Sequence, residues 1–145
     1  GAGLDDDAFT ATAAWNFGPV RVAGVYEYLR YDTPVGTLRR DFWGASGTFV
    51  AGPGTVYVFA GRGGDGRAPA SVRVGGLASG PDTAAWQYVL SYSYSLSGRT
   101  MAYAGYVRID NDASAAYNFY VHPYTPDSAA GLRLSGFVLG AAHFF

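Results

Sequence analysis

The sequence contains no cysteine and no lysine, and only one methionine. Without cysteine there is no disulfide framework, no thiolate nucleophile and no Cys-type zinc site. Its basic residues are ten arginines set against eleven acidic residues, for a formal net charge of −1. No concentrated basic face results, which argues against nucleic acid as a partner. Charged residues make up 14 % of the 145, well below the roughly 25 % of ordinary soluble domains. The deficit is not filled by long apolar runs: mean hydropathy is +0.04, and no stretch approaches the roughly 18 unbroken apolar residues of a membrane helix. Strong helix formers such as Glu, Met and Lys are scarce. The chain begins Gly-Ala-Gly-Leu-Asp-Asp-Asp, with no initiator Met, basic n-region or apolar h-region; a removed leader and an internal start both fit.

What is present is aromatic residues at 17 % and 21 glycines, a combination of strand rings and turn residues that reads all-β. The clearest pattern lies at 86–96, where Trp86, Tyr88, Leu90, Tyr92, Tyr94 and Leu96 alternate with Gln87, Val89, Ser91, Ser93 and Ser95. That period is two, not 3.6, and predicts a strand of about ten residues. The same alternation at 9–17 sets Phe9, Ala11, Ala13, Trp15 and Phe17 against Thr10, Thr12, Ala14 and Asn16. Strands at 20–31, 41–51, 55–62, 100–109 and 132–145 bring the expected number to seven. Tight turns at 18–19, 52–54 and 97–99 alternate with long connections at 32–40, 63–84 and 110–131, so the short turns fall on one side and the long loops on the other. Outer-membrane barrels have this asymmetry. Aromatics bunch near strand ends, with Trp15 and Phe17, Tyr26 and Tyr28, Trp43 and Phe49, Trp86 and Tyr88, as interfacial girdles require.

Three stretches carry the family signal. They are Ser95-Leu96-Ser97-Gly98-Arg99-Thr100, Asn111-Asp112-Ala113-Ser114-Ala115-Ala116-Tyr117-Asn118-Phe119-Tyr120, and the end Gly140-Ala141-Ala142-His143-Phe144-Phe145. On these the chain resembles the C-terminal part of a Gram-negative general porin of the neisserial or betaproteobacterial type. The resemblance covers the whole chain in pattern and roughly the last 60 residues in sequence. It implies an antiparallel transmembrane β-barrel of sixteen strands, of which these would be the last seven, forming a single domain over 1–145. It further implies a passive diffusion channel in the bacterial outer membrane, without cofactor, assembled as a homotrimer. Outer-membrane lipids, lipopolysaccharide, the barrel-assembly machinery and small hydrophilic solutes would be its partners. The constriction loop and most arginines facing it would belong to the earlier strands. Phe145, with His143, Ala141, Leu139 and Phe137 on its face, resembles the family's C-terminal assembly signal; Phe144 departs from it, standing where a basic residue is usual.

Pore lining is expected on the faces opposite the aromatics, because lipid-facing charge costs about 2–4 kcal/mol at the midplane. The candidates are Thr12, Asn16, Arg21, Glu27, Thr48, Gln87, Ser91, Ser93 and Arg108, with Thr10, Ser46 and Ser95 beside them; for Arg21 and Arg108, near strand ends, solvation of the rim is the competing reading. Arg30 and Arg62 have the outward parity beyond the aromatic rim, where they could snorkel or meet lipopolysaccharide phosphates. His122 and His143 have no nucleophile placed beside them by any motif, so catalysis is not expected. Asp5-Asp6-Asp7 and Asp110-Asn111-Asp112 lack the spacing of a calcium loop and read as solvated acids, and Gly61–Gly66 reads as a flexible loop. The competing architecture is a small complete β-barrel or β-sandwich serving as a binding or adhesion module. It needs an eighth strand, for which Ala70–Leu77 is the one candidate.

Overall fold

Alternating segments and Gly-Pro turns build one antiparallel sheet in the computed structural model, which describes residues 4–69, 71–119 and 129–145. Its strands are β1 (Asp6–Phe17), β2 (Val20–Thr33), β3 (Gly36–Ala51), β4 (Gly54–Gly63), β7 (Ala85–Ser97), β8 (Thr100–Asn111) and β9 (Arg133–His143), adjacent in that order. Two short strands, β5 (Arg73–Val74) and β6 (Leu77–Ala78), pair only with each other. The seven expected membrane strands are all present, each longer or shorter by a few residues than its pattern suggested. The two-residue turns Gly18-Pro19 and Gly52-Pro53 place a glycine at φ 58° and 59° in their first position. Proline cannot take positive φ at the second, so these are type II′ turns, whose twist suits a hairpin.

Two expectations are corrected here. The segment 32–40 is not a long loop. Strand β2 runs to Thr33, β3 starts at Gly36, and only Pro34 and Val35 separate them. Polar and charged residues on both faces hid this extension, because Leu38 alone does not make a period of two. Hydrogen bonds hold it instead: Thr37 Oγ1 donates to Asp32 Oδ1 (2.8 Å) and Thr33 Oγ1 to the Gly36 carbonyl (2.6 Å). The strict alternation of short and long connections therefore fails at this one place.

Nor is Gly61–Gly66 a flexible loop. Gly61–Gly63 belong to β4. Beyond them, Asp65 Oδ1 accepts from the backbone N–H of Thr83 (2.9 Å) and Ala84 (3.0 Å), while the Gly66 N–H donates to Thr83 Oγ1 (2.9 Å). The two ends of the 64–84 connection are thereby tied together. Between them, Ala70 lies outside the described residues and β5–β6 does not join the sheet, so this stretch supplies no eighth strand. Among the described residues β1 pairs with β2 alone and β9 with β8 alone; the sheet is not closed.

Register assigns the two faces. On one, Tyr26 stands opposite Trp43, Arg62 opposite Trp86, Leu90 opposite Tyr106 and Tyr106 opposite Phe137. This face is apolar and bare: Phe137 is 83 % exposed and Leu139 81 %, a surface that water would not tolerate and lipid would. Toward the short turns it carries Trp15, Phe17 and Phe49. Toward the long connections Trp43 packs edge-on against Trp86 (5.1 Å) and Trp86 lies parallel to Tyr88 (5.8 Å). Between these tiers sit Ala13, Gly24, Ala45, Val58 and Leu90. The strand at 55–62 presents Val56, Val58 and Ala60 to this face and Tyr57 and Phe59 to the other.

Buried apolar packing lies on the opposite, inner face, at the end of the long connections. Leu38 is fully buried against Val72 and Leu77, with Tyr31, Val74 and Tyr117 around them. The connection 64–84 thus folds inward over the sheet. The segment after β8 joins it: Asn111 Nδ2 donates to the carbonyls of Tyr117 (3.0 Å) and Leu132 (2.9 Å), and its Oδ1 accepts from the Tyr117 N–H (2.9 Å).

Candidate functional site

The inner face is where polar side chains collect. Directly paired residues in an antiparallel sheet point to the same side. One row crosses all seven long strands through Asn16, Arg21, Thr48, Tyr57, Ser91, Gly105 and Val138. A second brings Thr10, Glu27, Phe42 and Gly63 together, and Thr10 Oγ1 donates to Glu27 Oε2 at 3.3 Å. Thr12 pairs with Val25, Gln87 with Gly61 and Ser93 with Thr55. Eight of the nine expected lining residues, Thr12, Asn16, Arg21, Glu27, Thr48, Gln87, Ser91 and Ser93, therefore share one face.

Arg108 does not. It pairs with Tyr88 and Ser135 on the aromatic face, where its Nε donates to Asp110 Oδ1 at 2.7 Å. The correction has a simple cause: β8 alternates poorly, with Tyr103, Tyr106, Val107 and Ile109 on both parities, so its sequence alone does not choose a face. Arg108 is level with Tyr88 in the aromatic tier, and its partner Asp110 is level with Trp86 at the rim. Three other arginines at this end are paired as well. Arg30 meets Asp7 (3.5 Å) and Asp32 (3.3 Å), Arg62 meets Asp112 (3.0 Å) and lies over the Trp86 ring, and Arg67 binds Asp41. Asp7, Asp110 and Asp112 are thus ion-pair partners of arginines rather than merely solvated acids. Among the described residues no group of three His, Cys, Asp or Glu could hold a metal ion.

Four inner-face residues were not legible as such in the sequence: Arg40, Phe42, Tyr57 and Phe59. Arg40 fell in the segment read as a loop, and the rings fell on a face expected to be polar. Missing side chains explain how rings fit a channel wall. A Cβ on Gly44 would come within 2.8 Å of the Phe59 ring, and one on Gly61 within 2.7 Å of Phe59 and 2.8 Å of Phe42. The rings occupy the volume that side chains at those glycines would fill, lying along the sheet. Phe42 and Phe59 are within 20° of parallel, 6.5 Å between centroids.

The terminal face is ordered as expected. Phe137, Leu139, Ala141 and His143 follow one another opposite Tyr106, Ala104, Ala102 and Thr100 on the aromatic side. His143 Nδ1 lies 2.8 Å from Thr100 Oγ1, its ring is edge-on to Phe145 at 5.0 Å, and the Phe144 N–H donates to the Arg99 carbonyl (2.9 Å). His122 lies outside the described residues, as does Tyr120.

A sheet with one bare apolar face, two aromatic tiers and a polar opposite face onto which loops fold is the wall of a transmembrane β-barrel. Sequence comparison says which kind: residues 1–114 match the Gram-negative porin family, and the chain belongs to it. That family places it in the bacterial outer membrane. Its fold is similar to that of the anion-selective porin from Comamonas acidovorans, with a TM-score of 0.81 and 21 % identity, over 98 % of this chain and 40 % of that one. This chain therefore spans well under half of that porin's length. No curated protein matches it in sequence.

Proposed function

We propose that these seven strands are the C-terminal part of a larger, single-domain barrel that acts as a passive diffusion channel for small hydrophilic solutes. The observation that carries this reading is the sorting of the wall by register: Thr12, Asn16, Arg21, Glu27, Thr48, Gln87, Ser91 and Ser93 all lie opposite a continuous lipid-compatible face. In this reading they line the water-filled lumen, with Arg21 and Glu27 supplying charge of both signs, and no catalysis is involved. Two unpaired edges support a larger closed barrel, since lipid cannot satisfy their backbone groups. They also disfavour the small complete barrel or sandwich, which would need an eighth strand.

Homotrimeric assembly, lipopolysaccharide contact and recognition by the barrel-assembly machinery belong to the same proposal. The last of these would act through Phe137, Leu139, Ala141, His143 and Phe145. The test is single-channel recording of the full-length protein in planar bilayers. Discrete, unsaturating conductance that grows with salt concentration is expected, and absence of any conductance from correctly folded protein would overturn the reading.

A further inference from the structure

Arg40 stands apart from the other inner-face charges. It projects from β3 onto the inner face beside Phe42, its guanidinium laid on Gly63, where a Cβ would collide with it. The Tyr117 ring covers it at 4.5 Å. Its Nε is buried without a hydrogen-bond partner, and among the described residues no carboxylate forms an ion pair with it. Arg30, Arg62, Arg67 and Arg108 each have an aspartate; this one has an aromatic face. A cation held by a ring keeps its positive potential and its outward N–H donors available, where an ion pair would neutralise both.

Next to it opens a cleft of about 320 Å³ lined by Arg40, Phe42, Gly61, Gly63, Gln87 and Tyr117, among others. That volume is at the lower end of small-molecule sites. Phe42 lies along the wall over Gly61, with the Phe59 ring within 20° of parallel to it, 6.5 Å between centroids. The cleft thus offers a flat π surface beside a single unneutralised cation, with Gln87 as a neutral hydrogen-bonding group.

We propose that this cleft is a binding site for planar aromatic carboxylates, which stack on Phe42 and place the carboxylate against Arg40. The geometry selects both halves of the ligand. An aliphatic acid would use the guanidinium and leave the ring surface wet, and a neutral aromatic would stack and leave the cation unpaired. The proposal rests on the channel reading for its setting, a solute site on the lumenal wall, but not for the chemistry of the cleft.

The test uses the full-length protein in detergent and in bilayers, with benzoate, acetate and benzyl alcohol as probes. Calorimetric titration should show saturable benzoate binding at least tenfold tighter than either other probe. Arg40→Gln and Phe42→Leu should each weaken it about tenfold, whereas Arg133→Gln, which removes an arginine from the outward face, should leave it unchanged. If Arg40→Gln does not assemble, Arg40→Lys, which keeps the charge but loses the planar fork, should still weaken benzoate several-fold. Acetate binding as tightly as benzoate would reduce the site to general anion attraction, and benzyl alcohol doing so would reduce it to apolar partition; either overturns the proposal. Bilayer recording of the same preparation separates the two readings. Conductance without benzoate preference removes the site alone. Benzoate preference without conductance removes the channel alone.

Discussion

Leu90 and Ser91 are consecutive residues in the middle of β7, and replacing each by arginine should have very different costs. Leu90 sits between Val58 and Tyr106 on the apolar face, 50 % exposed. Ser91 sits between Tyr57 and Gly105 on the inner face. From Leu90 to Trp86 at the rim is four residues, about 13 Å along a strand and about 10 Å in depth at the usual tilt. A guanidinium at 90 cannot reach the rim without thinning the bilayer around it. Its insertion costs about 2–4 kcal/mol, and the lipid contact of the lost half-exposed leucine adds about 1 kcal/mol. Ser91→Arg puts the same group in water and should stay within about 0.5 kcal/mol of the parent. The difference, roughly 3 kcal/mol, corresponds to a factor of about a hundred in the folding equilibrium. Urea titration of the full-length barrel in lipid vesicles, followed by tryptophan emission and heat-modifiable gel mobility, measures it directly. Equal costs, or a larger cost for Ser91→Arg, would refute the assignment of faces and with it the lumenal reading of Thr48, Gln87 and Ser93.

Three further outcomes follow from the same geometry. The 145-residue polypeptide alone should not form a stable monomeric pore. Half of the 12 residues in β1 and half of the 11 in β9 direct their N–H and C=O groups to an open edge. At several kcal/mol each in hydrocarbon, they outweigh a typical stability of about 5–15 kcal/mol; a monomeric, protease-resistant species with discrete conductance after refolding into vesicles would contradict this. Deleting Phe145 from the full-length protein should lower its outer-membrane abundance in cells while leaving refolding in detergent nearly unchanged, measured by immunoblot of membrane fractions; unaltered abundance would remove the assembly role. Gly44→Val should destabilise the barrel by about 1–3 kcal/mol by driving into the Phe59 ring, and a Gly44→Val/Phe59→Ala double variant should recover part of that loss in the same urea titration.

The membrane-spanning part of this fold was readable because lipid and water on opposite faces impose a period of two. Strand β7 shows it from Trp86 to Ser95 with Val89 as the one exception, and β1 nearly so. Where that constraint relaxes, the pattern disappears. Residues 32–40 carry a single apolar strand residue, Leu38, covered by the 64–84 connection rather than by lipid, and β8 carries apolar groups on both faces, which is why Arg108 was assigned to the wrong side. The shared face of the residues proposed to line the lumen on β1, β2, β3 and β7 was recoverable from parity alone. Arg40, Phe42 and Phe59 were not, because Arg40 and Phe42 lie against Gly63 and Gly61 one strand away and Phe59 against Gly44 on β3, cross-strand relations that no single segment displays. The inward fold of 64–84 depends likewise on Leu38 meeting Val72 and Leu77, contacts between segments of unremarkable composition.

The extended β2–β3 hairpin has a consequence for what other organisms meet. Phe42 is the last β3 residue paired with β4, so the stretch from Gly36 to Asp41 continues past its neighbour. In the proposed barrel the Gly18-Pro19 and Gly52-Pro53 turns face the periplasm, as the short turns of outer-membrane barrels do, and this ordered ribbon at the opposite end would rise above the headgroups to Pro34 and Val35, the latter 65 % exposed. Antibodies and bacteriophage tail fibres would thus encounter a shaped, hydrogen-bonded tip rather than a floppy tether. Recognition there should depend on conformation, so a linear peptide copying 30–39 would make a poor immunogen, and a cyclic hairpin preserving the Thr33–Gly36 closure a better one. The same tip is a natural place to display a foreign epitope on the cell surface, since an insertion between Pro34 and Val35 lengthens only a solvent-bathed turn and leaves the paired stem below it intact.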